Sequence, residues 1–467
     1  MNQSQWHNSP QTAPGSVKLC SAKACTVKPC TVKPCTIKTV NRPASALLTC
    51  AVFALSLLVP TALIAQAEQT LTLPGFSSIS AADAGLSADG LSAVTAALQA
   101  QIDAGDIPGA VAAVLKDGKL VYLQALGFKH IESAQPMTTD ALFRTYSMTR
   151  PVTALGILIL QDKGLLSVND PVQKYLPQFA DQSVLQDADD ADIEEVRARN
   201  GDITIAQLLL HTSGIGDRNS AFYRANNVHS YDQTLEQVVD NLAELPLFED
   251  PGTVYRYGMH SEVLGRVLEV VSGQDIASFF QQEIFLPLGM TDTVFYVDDS
   301  RRDRLATVYR PDAEGKLRPH EMEHIPVTEV RALNSSGVGL VSSTADFLKF
   351  SQLFLDNGMA NGQRVLSEEG VRQAAENAVP EALMPIGSNG YWAGSGWSLG
   401  GFAVALDPGA YNHTVNQGEY WWDGSAGTRF WIDPSQNMVT IIMAQVSPAG
   451  GNGFRERFKT LVYEALE

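Results

Sequence analysis

The chain has 467 residues, 45% hydrophobic, 8% aromatic and 18% charged, enough apolar material for a large core and too much for wholesale disorder. Lys plus Arg number 33 against 51 Asp plus Glu, a net charge of −18; so negative a surface repels phosphate backbones and excludes nucleic acid as a partner. The charge is unevenly placed, because residues 1–67 carry six basic side chains and no acidic one, which leaves 27 against 51, or −24, beyond them.

All five cysteines, Cys20, Cys25, Cys30, Cys35 and Cys50, fall in that first stretch. Past it no disulfide, thiolate metal site or cysteine nucleophile is available. Their even spacing lacks the paired clusters of zinc sites and reads as a low-complexity leader. Residues 44–65 form an uncharged apolar run preceded by basic residues and followed by Ala65-Gln66-Ala67, small residues where a signal peptidase requires them. The expectation is export to the periplasm or medium, with the mature chain starting near Glu68. The run is long enough to span a bilayer, so retention as an inner-membrane anchor is the alternative. The expected organisation is a leader over 1–67, a Ser/Gly/Ala-rich linker over 68–90 and one domain over 91–467.

Within that domain Leu91, Val94, Leu98 and Ile102 recur at helical spacing before Gly105, which predicts an amphipathic helix. Residues 109–115 and 120–126 are β-rich runs around an Asp-Gly turn, a predicted hairpin. Helical segments follow at 152–163, 204–210, 234–243, 261–272 and 344–357. A second hairpin is predicted over 428–444 and a last helix from Arg455 to Leu466. Strands at both ends with helices between predict an α+β fold: one antiparallel sheet formed by both ends of the chain, flanked by helices, with a helical region over roughly 148–330 inserted. The acidic stretch Asp187–Glu195 lacks the glycine and ligand spacing of a calcium loop and reads as solvated loop.

Two serines have the context of a nucleophile. Gly396-Trp-Ser398-Leu-Gly400 matches the Gly-x-Ser-x-Gly elbow, but that elbow needs a helix directly after the serine, and strand-like residues 402–406 follow instead. Ser398 is therefore read as a tight turn. Ser147, in Tyr146-Ser147-Met-Thr-Arg150, stands just ahead of a long apolar helix, where unpaired backbone N–H groups and the positive end of the dipole favour developing negative charge. Arg150 shares its face one turn on.

The chain resembles the serine β-lactamase-like hydrolases, especially the bacterial esterases related to class C β-lactamases. The resemblance rests on the Ser147 segment and, in family order, on Leu209-Leu-His211-Thr-Ser-Gly214, Pro251 to Met259, Leu264 to Gly273, Phe285 to Thr291, Gly337 to Asp346 and Trp422-Asp-Gly-Ser-Ala-Gly-Thr428. It implies a β-lactamase/transpeptidase-like fold with Ser147 as acylated nucleophile and Tyr257 as base. The oxyanion hole would be the backbone N–H groups of Ser147 and Ser425, and Trp422, Asp423 and Gly424 would line the substrate pocket. No metal or organic cofactor is implied. Three departures matter. Arg150 stands where the family has lysine, and a guanidinium cannot give up its proton, so it can only lend charge and lower the pKa of Tyr257. Met259 replaces an asparagine. Trp422 and Asp423 replace the groups with which β-lactamases hold a substrate carboxylate, and Asp423 would repel an anion.

The reading is an exported serine hydrolase acting on a small-molecule ester or amide, foremost a short neutral ester. The rivals are a non-catalytic ligand-binding relative, on account of Arg150, and a D-amino-acid peptidase or weak β-lactamase.

Overall fold

The computed structural model describes residues 71–467 except 189–194, 321–324, 388–390 and 450–452. The cysteine repeat, the apolar run 44–65, the cleavage site and most of the acidic stretch lie outside the described residues.

The helix built on Leu91, Val94 and Leu98 is α1, Ala88–Asp103, with Ser87 as its N-cap, accepting from the Gly90 N–H. The first hairpin is β1, Gly109–Lys116, and β2, Lys119–His130; Gly109 and Gly127 face each other where an added Cβ on either would strike the opposite backbone. A short strand β3, Gln135–Pro136, completes that edge. The second hairpin is β9, Arg429–Asp433, and β10, Met438–Ala444. It is extended outward by β8, Tyr420–Asp423, β7, Ala403–Ala405, and β6, Ser395–Trp397. One eight-stranded antiparallel sheet results, in the order β6-β7-β8-β9-β10-β1-β2-β3. The pairing of β1 with β10, from Ala110↔Ala444 to Lys116↔Met438, joins the two ends of the chain at its centre. Every residue of β8, β9 and β10 is buried, because helices cover both faces.

On one face lie α1 and the C-terminal helix α7, Phe454–Glu464. On the other stand α2, Thr149–Asp162, whose first twelve residues are all buried, and α5, Thr344–Leu355. Between them in sequence come α3, Leu235–Glu244, and α4, His260–Ser272, with α6, Glu368–Ala375, beyond. The chain leaves the sheet at Pro136 and returns at Ser395. The insertion is thus longer than the predicted 148–330, because α5 packs on the sheet and α6 on α2 before the chain rejoins the sheet. Within it a small ladder, β4, Leu142–Arg144, with β5, Val341–Ser343, brings the segment before Ser147 against the segment before α5.

The predicted linker is corrected over its described part. Leu73 and Leu86 are buried, Ser78 and Leu86 form bridges to Leu120 and Leu466, and the Ser87 N–H donates to Ala465 O. This segment is part of the domain; its small residues permit close packing that composition alone cannot reveal.

Candidate active site

Ser147 lies in a 3₁₀ turn, Tyr146–Met148, that runs straight into α2. Tyr146 holds φ +47°, a conformation costly for a bulky residue. The surroundings impose it: the ring is buried with Leu142, Ile325, Val327 and Val338, and the preceding Thr145 is pinned by its N–H and Oγ1 to Leu340 O at 3.0 and 2.8 Å. Ser147 emerges half-buried.

Arg150, one turn on, is 8% exposed. Its guanidinium donates to Gly258 O at 2.7 Å and Ser261 Oγ at 3.2 Å, and its Cζ sits 4.3 Å from the centroid of the Tyr257 ring. These contacts draw it toward the residues that follow Tyr257. The half-buried Tyr257 ring has its hydroxyl shielded from solvent and near the Ser147 hydroxyl, though short of full hydrogen-bond geometry. The phenol's pKa is raised above the usual value by burial; Arg150 and Ser147 oppose this without reversing it. The expectation that Arg150 lowers it overall is therefore corrected: desolvation of the phenolate outweighs one stacked cation.

Two histidines that the sequence reading did not single out as site residues lie beneath. His211 Nδ1 and His260 Nδ1 are 3.0 Å apart, and the His211 ring is 4.6 Å from that of Tyr257. Burial first, then each other's and Arg150's charge, push His211 well below the usual imidazole range, and burial and Arg150 take His260 to about 3. The signal was present for His211, inside a quoted motif; His260 follows Met259 with no local pattern to mark it.

Gly424 ends β8 against the Ser147 segment. A Cβ there would lie 2.4 Å from Thr145 O, so only glycine lets the strand approach, and the exposed Ser425 follows. Trp422, 3% exposed, packs 5.5 Å from Tyr257 and 4.4 Å from Trp397, with Trp392 stacked at 5.7 Å. Asp423, the next residue on an alternating strand, faces the other way. It is buried in an ion pair with Arg455 of α7 at 2.9 Å. The expectation that its charge would meet a substrate is corrected, since a cation from the helix on the opposite face already engages it. Ser398 is fully buried in the turn between β6 and β7, with Oγ 3.3 Å from both Phe402 O and Phe402 N, and no helix follows.

The structure thus brings Ser147, Arg150, Tyr257, Trp422 and Gly424 together and turns Asp423 and Ser398 away. A half-open hydroxyl beside a phenol, with a fixed cation on the ring and a helix start behind, can support attack on a carbonyl. Among the described residues no three His, Cys, Asp or Glu gather as metal ligands. A cavity of about 390 Å³ lined by Tyr231, Gln281, Phe285, Val327 and Asn334 includes none of Ser147, Arg150 or Tyr257.

A family model described as Beta-lactamase matches residues 94–463. An uncharacterized protein of Mycobacterium tuberculosis is 31% identical over 361 residues, 76% of this chain and 89% of its own length. Esterase EstB of Burkholderia gladioli is 28% identical over 375 residues, 74% of this chain and 88% of its own. Among solved structures, EstCE1, described as a hydrolase with promiscuous acyltransferase activity, superposes with TM-score 0.70 at 25% identity, covering 80% of this chain and 99% of its own. Simvastatin synthase of Aspergillus terreus, with TM-score 0.68 at 24% identity over 80% and 98%, shares the fold.

Proposed function

The chain belongs to the Beta-lactamase family, and from that premise we propose that it is a serine carboxylesterase that hydrolyses uncharged esters through an acyl-enzyme on Ser147. The observation that carries the reading is the meeting of Ser147, Tyr257 and Arg150. Ser147 Oγ attacks the ester carbonyl as its proton passes to the Tyr257 phenolate, and the oxyanion is received by the N–H groups of Ser147 and Ser425. Collapse breaks the C–O bond, and the leaving alkoxide takes the proton back from Tyr257. Water then attacks the acyl carbonyl, gives its proton to Tyr257 and releases the acid as Ser147 is reprotonated. Arg150 stabilises the phenolate across the ring face and moves no proton.

A neutral ester is supported because β8 presents Trp422 to the site and Asp423 is engaged by Arg455, so this strand offers no cation to a carboxylate. A fluorophosphonate probe should add one mass adduct, mapped to Ser147. Ser147→Ala should lose label and about 10³-fold or more in turnover, while Ser398→Ala keeps both. Label surviving in Ser147→Ala overturns the assignment. The second reading, a ligand-binding relative without turnover, is favoured by the committed guanidinium and raised phenol, and an unlabelled, inert wild type would establish it. We also propose export through residues 44–65; N-terminal sequencing of secreted protein should read from near Glu68.

A further inference from the structure

Glu262 is 3% exposed, in the first turn of α4 and five residues after Tyr257. A buried carboxylate is normally matched by a cation. This one is matched by hydroxyl and amide donors: Ser335 Oγ to Oε1 at 2.5 Å, the Ser336 N–H to Oε2 at 2.9 Å, and Ser336 Oγ 3.0 Å from Oε2. So close an approach needs glycine at 265, where a Cβ would lie 2.2 Å from Ser336 Oγ.

The segment that Glu262 grips also grips α2. Ser336 O accepts from Thr153 Oγ1 at 2.7 Å, the Leu340 N–H donates to Thr149 Oγ1 at 3.2 Å, and Leu340 O holds Thr145. Ser336 Oγ lies 2.8 Å from Ser261 O, and Ser261 Oγ accepts from Arg150. Residues 335–340 therefore join the start of α2, where Ser147 sits, to the start of α4, just after Tyr257. An apolar contact would join them at less desolvation cost but without direction; the Ser335 hydroxyl and the Ser336 N–H donate to opposite oxygens of one carboxylate, and the single Ser336 hydroxyl proton is shared between Oε2 and Ser261 O, a directional link of the kind needed to hold reacting side chains to within about 0.5 Å.

We propose that Glu262 is a positioning residue that sets the separation of Ser147 and Tyr257 through the clamp at residues 335–340. The inference rests on the reading of Ser147 and Tyr257 given above. The test compares wild type, Glu262→Gln, Glu262→Asp and Val462→Ala, the last a remote core variant that controls for lost stability. In Glu262→Gln the amide NH₂ opposes donors where Oε2 accepted, so kcat on a nitrophenyl ester should fall about 10- to 100-fold with KM within threefold, and the ascending limb of the pH–rate profile should shift to higher pH as Arg150 loses its seat. Glu262→Asp, which keeps the acceptors, should recover part of kcat, and Val462→Ala should keep wild-type kcat. Hydrogen exchange read by mass spectrometry supplies a readout independent of turnover: amides in 145–150, 257–262 and 335–340 should exchange faster together in Glu262→Gln. A kcat loss matched by Val462→Ala, or exchange rising in 335–340 alone, overturns the inference. An inert wild type sinks the esterase reading, and joint exchange then still decides whether the clamp exists.

Discussion

Arg150 is where sequence and chemistry pull hardest against each other. A lysine there could accept a proton; the guanidinium cannot, and its geometry commits it to Gly258 O, Ser261 Oγ and the Tyr257 ring. In the proposed mechanism its use is electrostatic. Removing the charge in Arg150→Gln should cost on the order of 10²-fold or more in kcat/KM, while Arg150→Lys, which restores a cation, should stay within about tenfold of wild type and Tyr257→Phe should be inactive in either background. Because burial holds the phenol above its ordinary value even beside Arg150, the phenolate that the proposed mechanism requires is scarce at neutrality, and its fraction grows tenfold per pH unit below that pKa. The rate should climb from pH 6 to pH 9 without a plateau. A limb that levels below pH 8 would show that another group is the base.

At the scale of elements, the C-terminal helix holds the pocket strand from behind through charge. Arg455 meets Asp423, Lys459 meets Glu419 with both side chains fully buried, and Arg429 meets Glu456 while lying 3.8 Å from the Trp421 ring centroid. Such pairs cost desolvation and become liabilities when one partner is lost. Arg455→Met should lower the unfolding free energy by about 3–5 kcal/mol, and Asp423→Asn added to it should restore part of the loss, both read by denaturant titration. A cost under about 1 kcal/mol would mean that water reaches Asp423. The elements themselves were legible: the Asp-Gly turn and its flanking β-rich runs announced the first hairpin, and the 3.6-residue recurrence from Leu91 announced α1. The charged face of α7 was not legible, because Arg455 and Lys459 look like solvated helix residues until the sheet beneath them is known.

For the whole molecule, the buried histidine pair sets an acid limit. His211 and His260 are held neutral, with pKa values depressed below the ordinary 6.5; the unfolded chain therefore takes up protons below pH 6.5 that the folded chain refuses. Stability is present above that value and declines on acidification toward the folded values, by up to about 1.4 kcal/mol per pH unit for each histidine. His229 and His413 shift in the same direction. Between pH 6.5 and 5, where unfolded carboxylates remain ionised, Tm should fall, and less steeply in His260→Asn. A Tm constant over that window would show that protons reach the pair in the native state.

What the sequence determined by itself is what local pattern and residue order can carry. The two terminal hairpins, the helices between them, the sheet closed by both ends and the serine ahead of α2 all rest on periodicity, turn chemistry or motif order within short windows. Residue 398 could be set aside from sequence because its neighbours predict a strand, and the turn between β6 and β7 agrees. Tertiary structure alone decided which side chains share a face and what each charge meets. Asp423 and Trp422 are adjacent in sequence and point to opposite sides of β8; Glu262 and Ser336 are 74 residues apart and share hydrogen bonds; the pKa of Tyr257 follows from how completely the surrounding residues exclude water. Pair distances, burial and desolvation are properties of the packed molecule, and no window of sequence contains them.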